Sequence, residues 1–462
     1  MTVDWANSGV DLHLDLDPAV GRRLGLERAL REAIRSGRLA PQTRLPSTRV
    51  LAAELKLARN TVAAAYEQLV AEGYLAARTG SGTTVVGVPR PAGPVTRRVP
   101  ERAPRLDLRP GSPDVATFPV DAWLRATRRA LAGAPASAYD YADPQGRIEL
   151  RSALVEYLGR ARGVLADPTR IVICSGYVQA LSLLAGVVGG AIAMEDPGLP
   201  FHRDVVRHAG ADVLALPVDA QGARTDLLGS GGLAAARAAV LTPAHQYPTG
   251  VTMQPGRRHA AVAWAQERDG LIVEDDYDGE FRYDRQPVGA LQGMAPEHVV
   301  YVGTAAKTLG PALRLAWMIL PERLVEPVTR AKRLTDLHTE TIGQLALADL
   351  ITDHGYDRHI RACRLRYRRR RDLLIERIGR RHRLHGVAAG LHALIQLPDA
   401  GPTEDRVIER AAAQGLALNG LRAHWHVPGG VDTRGIIVGY ATPGQASYPA
   451  ALDTLARVLR AS

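Results

Sequence analysis

VVYVGTAAKTLG, residues 299–310, joins an apolar run to a lysine set among small residues, and its reading decides the fold of most of the chain. A short apolar run bounded by polar and glycine residues is the pattern of a strand buried on both faces of an α/β sheet. RIVICSG (170–176), AIAMEDPG (191–198), AAVLTPAHQ (238–246) and LIVEDDYD (271–278) share the pattern, and AWMILP (316–321) makes a sixth. All but the last end in polar, Gly or Pro residues, as strands do that present functional groups at the carboxyl edge of a sheet. Helix-like segments alternate with these runs.

The lysine itself is informative, because the whole chain holds only Lys56, Lys307 and Lys332 while its other long cationic side chains are arginine. Arginine cannot form a Schiff base, whereas a desolvated lysine at a strand end can form an imine with a pyridoxal aldehyde. Lys56 lies in the N-terminal region, and Lys332, in RAKRL, reads as an exposed helix position. Lys307 follows the strand, with Thr304 three residues before it and Arg314 seven after, so a hydroxyl and a bidentate guanidinium can converge on a phosphate. A purely structural lysine is the alternative. In LIVEDDYDGEF the apolar run ends in Glu274, Asp275, Asp276, Tyr277 and Asp278. A buried carboxylate beside a pyridinium nitrogen keeps that ring protonated, and a tyrosine hydroxyl can bond the ring oxygen; a metal cluster or a solvated acid cluster is the other reading. ICSGYVQAL places Ser175, Gly176 and Tyr177 between strand and helix, where backbone N–H groups can hold phosphate.

At 462 residues, with 46% hydrophobic and 23% charged residues, the chain has material for at least two domains with their own cores. The first residues, MTVDWANSGVDLHLDLD, lack the basic start and apolar run of a signal peptide, and Leu181 to Met194 is too short to span a bilayer. A cytoplasmic location without a membrane partner is therefore expected. Cys174 and Cys363 cannot by themselves build a disulfide framework or a zinc site, and no metal is assigned. Net charge is +10, of which residues 21–90 supply +7, from twelve Arg or Lys against five Glu. A second basic run, RACRLRYRRRRDLLIERIGRRHR from Arg361, reads as a solvated helix face.

PRPAGPVTRRVPERAPR, residues 89–105, is dense in Pro and Arg and reads as a tether. It divides a domain at 11–88 from one at 106–462. In the first, helical patterns run from Leu24 to Leu39, Thr48 to Leu55 and Asn60 to Glu72, with Ser47 and Arg59-Asn60-Thr61 at two helix starts separated by a short turn. That is helix-turn-helix geometry, with the second helix offering its N-terminal end to the major groove. Gly80 to Val86 reads as a tight turn between two short strands, a wing. A small helical domain with ordinary caps is the bland alternative.

RSGRLAPQTRLPSTRVLAAELKLARNTVAAAYEQLVAEGYLAARTGSGTTV resembles the winged domain of GntR-type bacterial regulators almost end to end. The resemblance implies an α+β winged helix-turn-helix in which Ser47, Arg49, Arg59, Asn60 and Thr61 contact double-stranded operator DNA and Gly82 lets the wing approach the minor groove. The lysine, acidic and glycine motifs, with YADPQG at Tyr141, EDPG at Glu195 and YPTG at Tyr247, resemble fold type I aminotransferases in their regulator branch, the MocR-type proteins. That resemblance covers nearly all of residues 106–445. It implies an α/β pyridoxal phosphate-dependent transferase domain with a smaller C-terminal α+β subdomain. Within it, Lys307 is implied as the Schiff-base lysine, Asp275 as the partner of the pyridine nitrogen and Tyr277 as the partner of the ring oxygen. Thr304, Arg314 and the Ser175, Gly176 and Tyr177 backbone are implied as phosphate ligands, and Tyr247 as a further cofactor residue. Tyr141 would reach the neighbouring subunit's phosphate in a homodimer swapped head to tail. Arg422 and Arg434 are both candidates for an effector carboxylate. The chain departs from the family in carrying Leu199 where an aromatic residue often stacks on the cofactor ring, and Phe201 where the γ-aminobutyrate-sensing member has an arginine.

The expected function is thus a transcription regulator whose large domain binds pyridoxal phosphate and senses an amino compound or the cofactor itself. The alternative is an aminotransferase with an accessory DNA-binding domain; residual transamination is compatible with either.

Overall fold

The computed structural model describes residues 14, 16, 21–78, 82–87, 104–284, 288–379, 381–398, 400–426 and 434–460. The tether expected at 89–105 lies outside them except for residues 104 and 105, as do the wing tip at 79–81 and, apart from 14 and 16, the stretch before residue 21. The chain divides into two compact units, Met1–Arg102 and Ala103–Ser462.

In the first unit, helices Arg22–Arg35, Thr48–Glu54 and Arg59–Ala71 precede an antiparallel pair of strands, Leu75–Arg78 and Gly82–Val85, registered from Leu75 opposite Val85 to Arg78 opposite Gly82. Apolar residues at helical spacing, Leu26, Leu30, Ala33 and Ile34 on the first helix and Val62, Ala65 and Leu69 on the third, form one core with Leu51, Leu75 and Val85. The first helix stops at Arg35 rather than Leu39. Ser36 Oγ turns back to donate to the Glu32 carbonyl at 2.7 Å, Gly37 takes a φ of 80°, and Leu39 folds into the core from outside the helix. Ser47 caps the second helix, its side chain accepting from Val50 N at 3.3 Å.

The second unit is built on an eight-stranded sheet in the spatial order Ile171–Cys174, Ala316–Ile319, Val299–Thr304, Leu271–Asp276, Ala236–Leu241, Ala191–Asp196, Asp212–Asp219 and Gly222–Ala223. All six apolar runs are strands of it; Asp212–Asp219 was not anticipated, its side chains being mostly half-buried or exposed rather than an apolar run. The central pairs are parallel, whereas Ala316–Ile319 runs antiparallel to both its neighbours. Helices cover the sheet, and Tyr177–Val188 packs Leu181, Leu184 and Ala185 against Val172, Val302 and Met318. A smaller antiparallel sheet follows, in the order Leu384–His385, His392–Gln396, Gly435–Gly439 and Asn419–Gly420. Helices Gly355–Ile378, Glu404–Ala413 and Tyr448–Arg460 share its core through Leu374, Val407 and Leu455. This is the expected multidomain order of winged helix-turn-helix, α/β transferase domain and smaller α+β subdomain.

Two expectations about cationic residues are corrected. Lys332 is fully buried rather than exposed, because it lies one turn after the buried Val328 on the inward face of the helix Glu322–Asp336. The basic run from Arg361 is not wholly a solvated face: Arg370 is buried, pairs with Asp114 at 2.6 Å and donates to the Ala441 carbonyl at 2.9 Å. Both cysteines are free and buried. Among the described residues no helix is long and apolar enough to cross a membrane.

Candidate functional site

The antiparallel return of Ala316–Ile319 beside Val299–Thr304, with Thr304 opposite Ala316, brings Arg314 back to the sheet edge where Lys307 sits. The strand Ile171–Cys174, next in line, ends at the same edge in Ser175 and Gly176. Arg314 Nη2 donates to the Ser175 carbonyl at 2.5 Å. Gly176 has a φ of 98°, which strains any other residue, and a Cβ there would lie 2.7 Å from the Arg314 guanidinium and would have to displace it. Behind it the helix Tyr177–Val188 begins, and the first N–H groups of a helix have no intrahelical partner.

These elements wall a cavity of about 400 Å³. Gly176, Tyr177, Tyr247, Asp275, Tyr277, Thr304, Lys307 and Arg314 all line it. The acidic cluster sorts itself around this space. Glu274 accepts from the Leu291 and Gln292 amides at 2.8 and 2.9 Å, Asp276 is bound by Arg162 at 2.7 Å, and Asp278 meets His245 Nδ1 at 2.9 Å. Asp275 alone of the four lines the cavity, and its buried Oδ1 has no hydrogen-bond partner. Burial pushes Asp275 up to about 8, against the pull of Tyr177 and Lys307 and with repulsion from Asp276 and Asp278. Burial also lowers the Lys307 amine, which Asp275 and Asp278 draw back up. Lys307 Nζ donates to the Gly111 carbonyl, and Tyr277 donates to the His245 carbonyl at 3.0 Å. Thr304 Oγ1 accepts from the Ala306 amide at 3.1 Å and donates to the Leu315 carbonyl at 3.2 Å.

Two residues of this wall, His202 and Arg203, and a third that backs it, His424, escaped the sequence reading. His202 stands in the first turn of the helix Pro200–His208, its ring 4.7 Å from that of Tyr177, and burial together with Lys307 pushes its pKa down to about 4, so it is neutral at pH 7. Arg203 is buried and donates to the Gly198 and His424 carbonyls at 3.1 and 3.0 Å. His424 Nδ1 faces the Gly420 carbonyl at 3.0 Å, which can only accept, so its Nε2 accepts from Tyr247 at 3.2 Å. Their only sequence signal was proximity to EDPG and to the C-terminal strand. Leu199 lines the cavity, while Phe201 is exposed.

Other expected site residues lie elsewhere. Tyr141 is 81% exposed, touches the His338 ring at 6.3 Å and does not line the cavity. Arg422 points outward to Asp405 at 3.2 Å, and Arg434, whose carbonyl accepts from Leu397 N at 3.0 Å, is also absent from the cavity wall. His245, Asp278 and His392 bring metal-type ligand atoms within 4.8 Å of one another. Asp278 is bonded to His245 Nδ1, and the His245 ring fits where Gly390 and Gly250 lack a Cβ.

In the first unit, Ser47, Arg49, Arg59 and Asn60 are exposed and Thr61 is half-buried at the start of the third helix. Gly82 has a φ of 87°, and its missing Cβ admits the Arg44 guanidinium, placing a further exposed cation beside the wing strands. Arg44 also bridges to Thr84 through the backbone. It too was missed.

Residues 23–85 match the family of bacterial regulatory proteins of the gntR type, and residues 105–409 match aminotransferase class I and II. The chain is 33% identical to a probable rhizopine catabolism regulatory protein, MocR, of Rhizobium meliloti, over 93% of this chain and 92% of that one. The chain belongs to the MocR-type branch of the GntR transcriptional regulators. The MocR-type assignment holds across other relatives: the pyridoxine biosynthesis transcriptional regulator PdxR of Corynebacterium glutamicum is 31% identical, with 90% and 91% of the two chains covered. Solved aminotransferases share the large unit's fold. A multiple substrate aminotransferase from Thermococcus profundus has a TM-score of 0.70 at 25% identity, covering 78% of this chain and 92% of that one. Kynurenine aminotransferase of Pyrococcus horikoshii gives 0.69 at 25%, covering 77% and 91%.

This MocR-type chain therefore joins a DNA-binding winged domain to an aminotransferase-like domain whose cofactor is pyridoxal phosphate. The residues present fit that group: a glycine turn at Gly176 beside the Arg314 guanidinium, a buried Asp275 whose Oδ1 has no partner, and a desolvated Lys307, all lining one cavity.

Proposed function

We propose that this regulator holds pyridoxal phosphate through Lys307 and changes its grip on operator DNA when the cofactor, or an amino compound attached to it, fills the cavity. The observation that carries the reading is that a lysine with a lowered amine pKa, a buried carboxylate with one unpartnered oxygen and an arginine-backed glycine turn share one cavity in a chain that also carries a winged helix. When bound, the cofactor supplies an aldehyde for amines to attach to and an electron-withdrawing ring. Burial makes the neutral amine of Lys307 easier to reach than that of a solvated lysine. Asp275 Oδ1 would accept a hydrogen bond from the protonated ring nitrogen, its raised pKa brought down by that cation. Tyr277 would hold the ring oxygen and Tyr247 would be a further cofactor residue, while Thr304, Arg314 and the amides from Ser175 to Tyr177 would enclose the phosphate. Tyr141, left exposed on the single chain, suits a role toward a neighbouring subunit in a head-to-tail homodimer. A cytoplasmic location accords with the DNA target.

Gly176→Ala is expected to weaken pyridoxal phosphate about tenfold or more, since a side chain at that φ costs ~1–3 kcal/mol and displaces Arg314. Absorbance titration checks it; unchanged affinity would show that the turn does not cradle the phosphate.

On the DNA side, Arg59→Ala is expected to cost ~1–3 kcal/mol, roughly 10- to 100-fold in specific affinity, with little change in the fold because Arg59 is exposed. Anisotropy with fragments from upstream of the gene, at fixed salt, is the measurement. Specific binding that survives the change would remove the third helix from the interface. An effector that favours one arrangement of the winged domains tenfold supplies about 1.4 kcal/mol per site, enough to alter occupancy. Turnover of amino acids at enzyme-like rates without specific DNA retention would favour the aminotransferase reading instead.

A further inference from the structure

The fully buried Lys332 takes no part in the chemistry above, and the bonds that lead from it reach the glycine turn. Lys332 Nζ bonds both oxygens of Asp336, at 2.7 and 2.8 Å, one turn along the same helix. Asp336 Oδ2 also accepts from Gln179 Nε2 at 2.7 Å. Gln179 Oε1 in turn accepts from the Ser175 amide at 2.7 Å. A side-chain amide can flip between two orientations, and a carboxylate can only accept, so Asp336 forces the NH₂ of Gln179 toward itself and the oxygen toward Ser175. The peptide before Ser175 is thereby held by Gln179, and the peptide after it by Arg314.

We infer that Lys332, Asp336 and Gln179 are positioning residues that set the Ser175–Gly176 turn for an anionic phosphate. The inference rests on the proposed cofactor site. Lys332 is buried while Asp336 is a quarter exposed, and an ion pair with one member buried gains little stability over apolar residues of the same size, so stability alone does not account for this one. Its geometry does give one: Lys332 holds Asp336 in place, Asp336 orients one amide, and that amide fixes the entry to the turn. None of the three lines the cavity, so they act through Ser175 and not on the ligand.

Gln179→Leu tests this, because it leaves the Lys332–Asp336 pair intact and cuts only the link. Affinity for pyridoxal phosphate and for pyridoxal, which lacks the phosphate, is read from the absorbance of the lysine-conjugated ligand. The preference for the phosphorylated form is expected to fall about tenfold, one hydrogen bond's worth, with pyridoxal little affected. The double variant Lys332→Met, Asp336→Leu removes the anchor without leaving a charge unpaired and is expected to move the preference in the same direction. Equal weakening of both ligands, or an unchanged preference in both variants, would overturn the inference. Failure of the unaltered protein to conjugate either ligand would overturn the reading of the site itself, and the inference with it.

Discussion

Lys307→Ala is expected to abolish the visible absorbance of the protein mixed with pyridoxal phosphate and to weaken retention of the cofactor by on the order of 100-fold or more. Lys332 is buried and bonded to Asp336, so it cannot take the place of Lys307. The residual affinity should be that of the phosphate cradle, and inorganic phosphate should compete with it. Acidification should imitate the substitution. Attachment needs the neutral amine, which burial favours by lowering its pKa, so conjugation should weaken as falling pH protonates Lys307. A conjugated band of full strength in the Lys307→Ala protein would refute the assignment.

Arg162→Met is expected to destabilise the large unit by roughly 3–5 kcal/mol, because it leaves Asp276 charged and buried without its partner. Both side chains are 1% exposed; Nε and Nη2 of Arg162 meet the two Asp276 oxygens at 2.7 and 2.9 Å, and Tyr301 adds a bond to Asp276 at 2.8 Å. Asp276 is flanked by Asp275 and followed by Tyr277, so the loss should also loosen cofactor binding. Denaturant unfolding monitored on the large unit, with and without Asp276→Asn in the same chain, separates the two effects. The second change should restore part of the stability by removing the stranded charge. A loss below about 1 kcal/mol would mean that water reaches Asp276 after all.

The sheet was legible because its strands are buried on both faces and stand out as apolar runs with polar ends; Asp212–Asp219, mostly half-buried or exposed along its length, offered no such run. Lys307 could be singled out by elimination, and Arg314 by its spacing, which the hairpin between Val299–Thr304 and Ala316–Ile319 turns into proximity. Which carboxylate of Glu274, Asp275, Asp276 and Asp278 serves the cavity was not legible from composition, since each of the other three is satisfied by residues distant in sequence: Leu291, Arg162 and His245. Lys332 was misread for the same reason. A polar residue on a helix looks solvated until the element covering that face, and a partner such as Gln179, is known. His202 and Arg203 carry no motif at all; only the close packing of the 199–203 turn against Tyr177 and the His424 carbonyl makes them part of the wall.

The central claim is that occupancy of the cavity changes DNA affinity. It is tested most directly by measuring anisotropy of an operator fragment with the full-length protein, with and without pyridoxal phosphate and then with a panel of amino compounds, in parallel with Lys307→Ala. The account predicts specific binding whose dissociation constant shifts several-fold or more on adding ligand, and a Lys307→Ala protein that still binds DNA but no longer responds. DNA affinity indifferent to cofactor and amino compounds alike in the unaltered protein would contradict it.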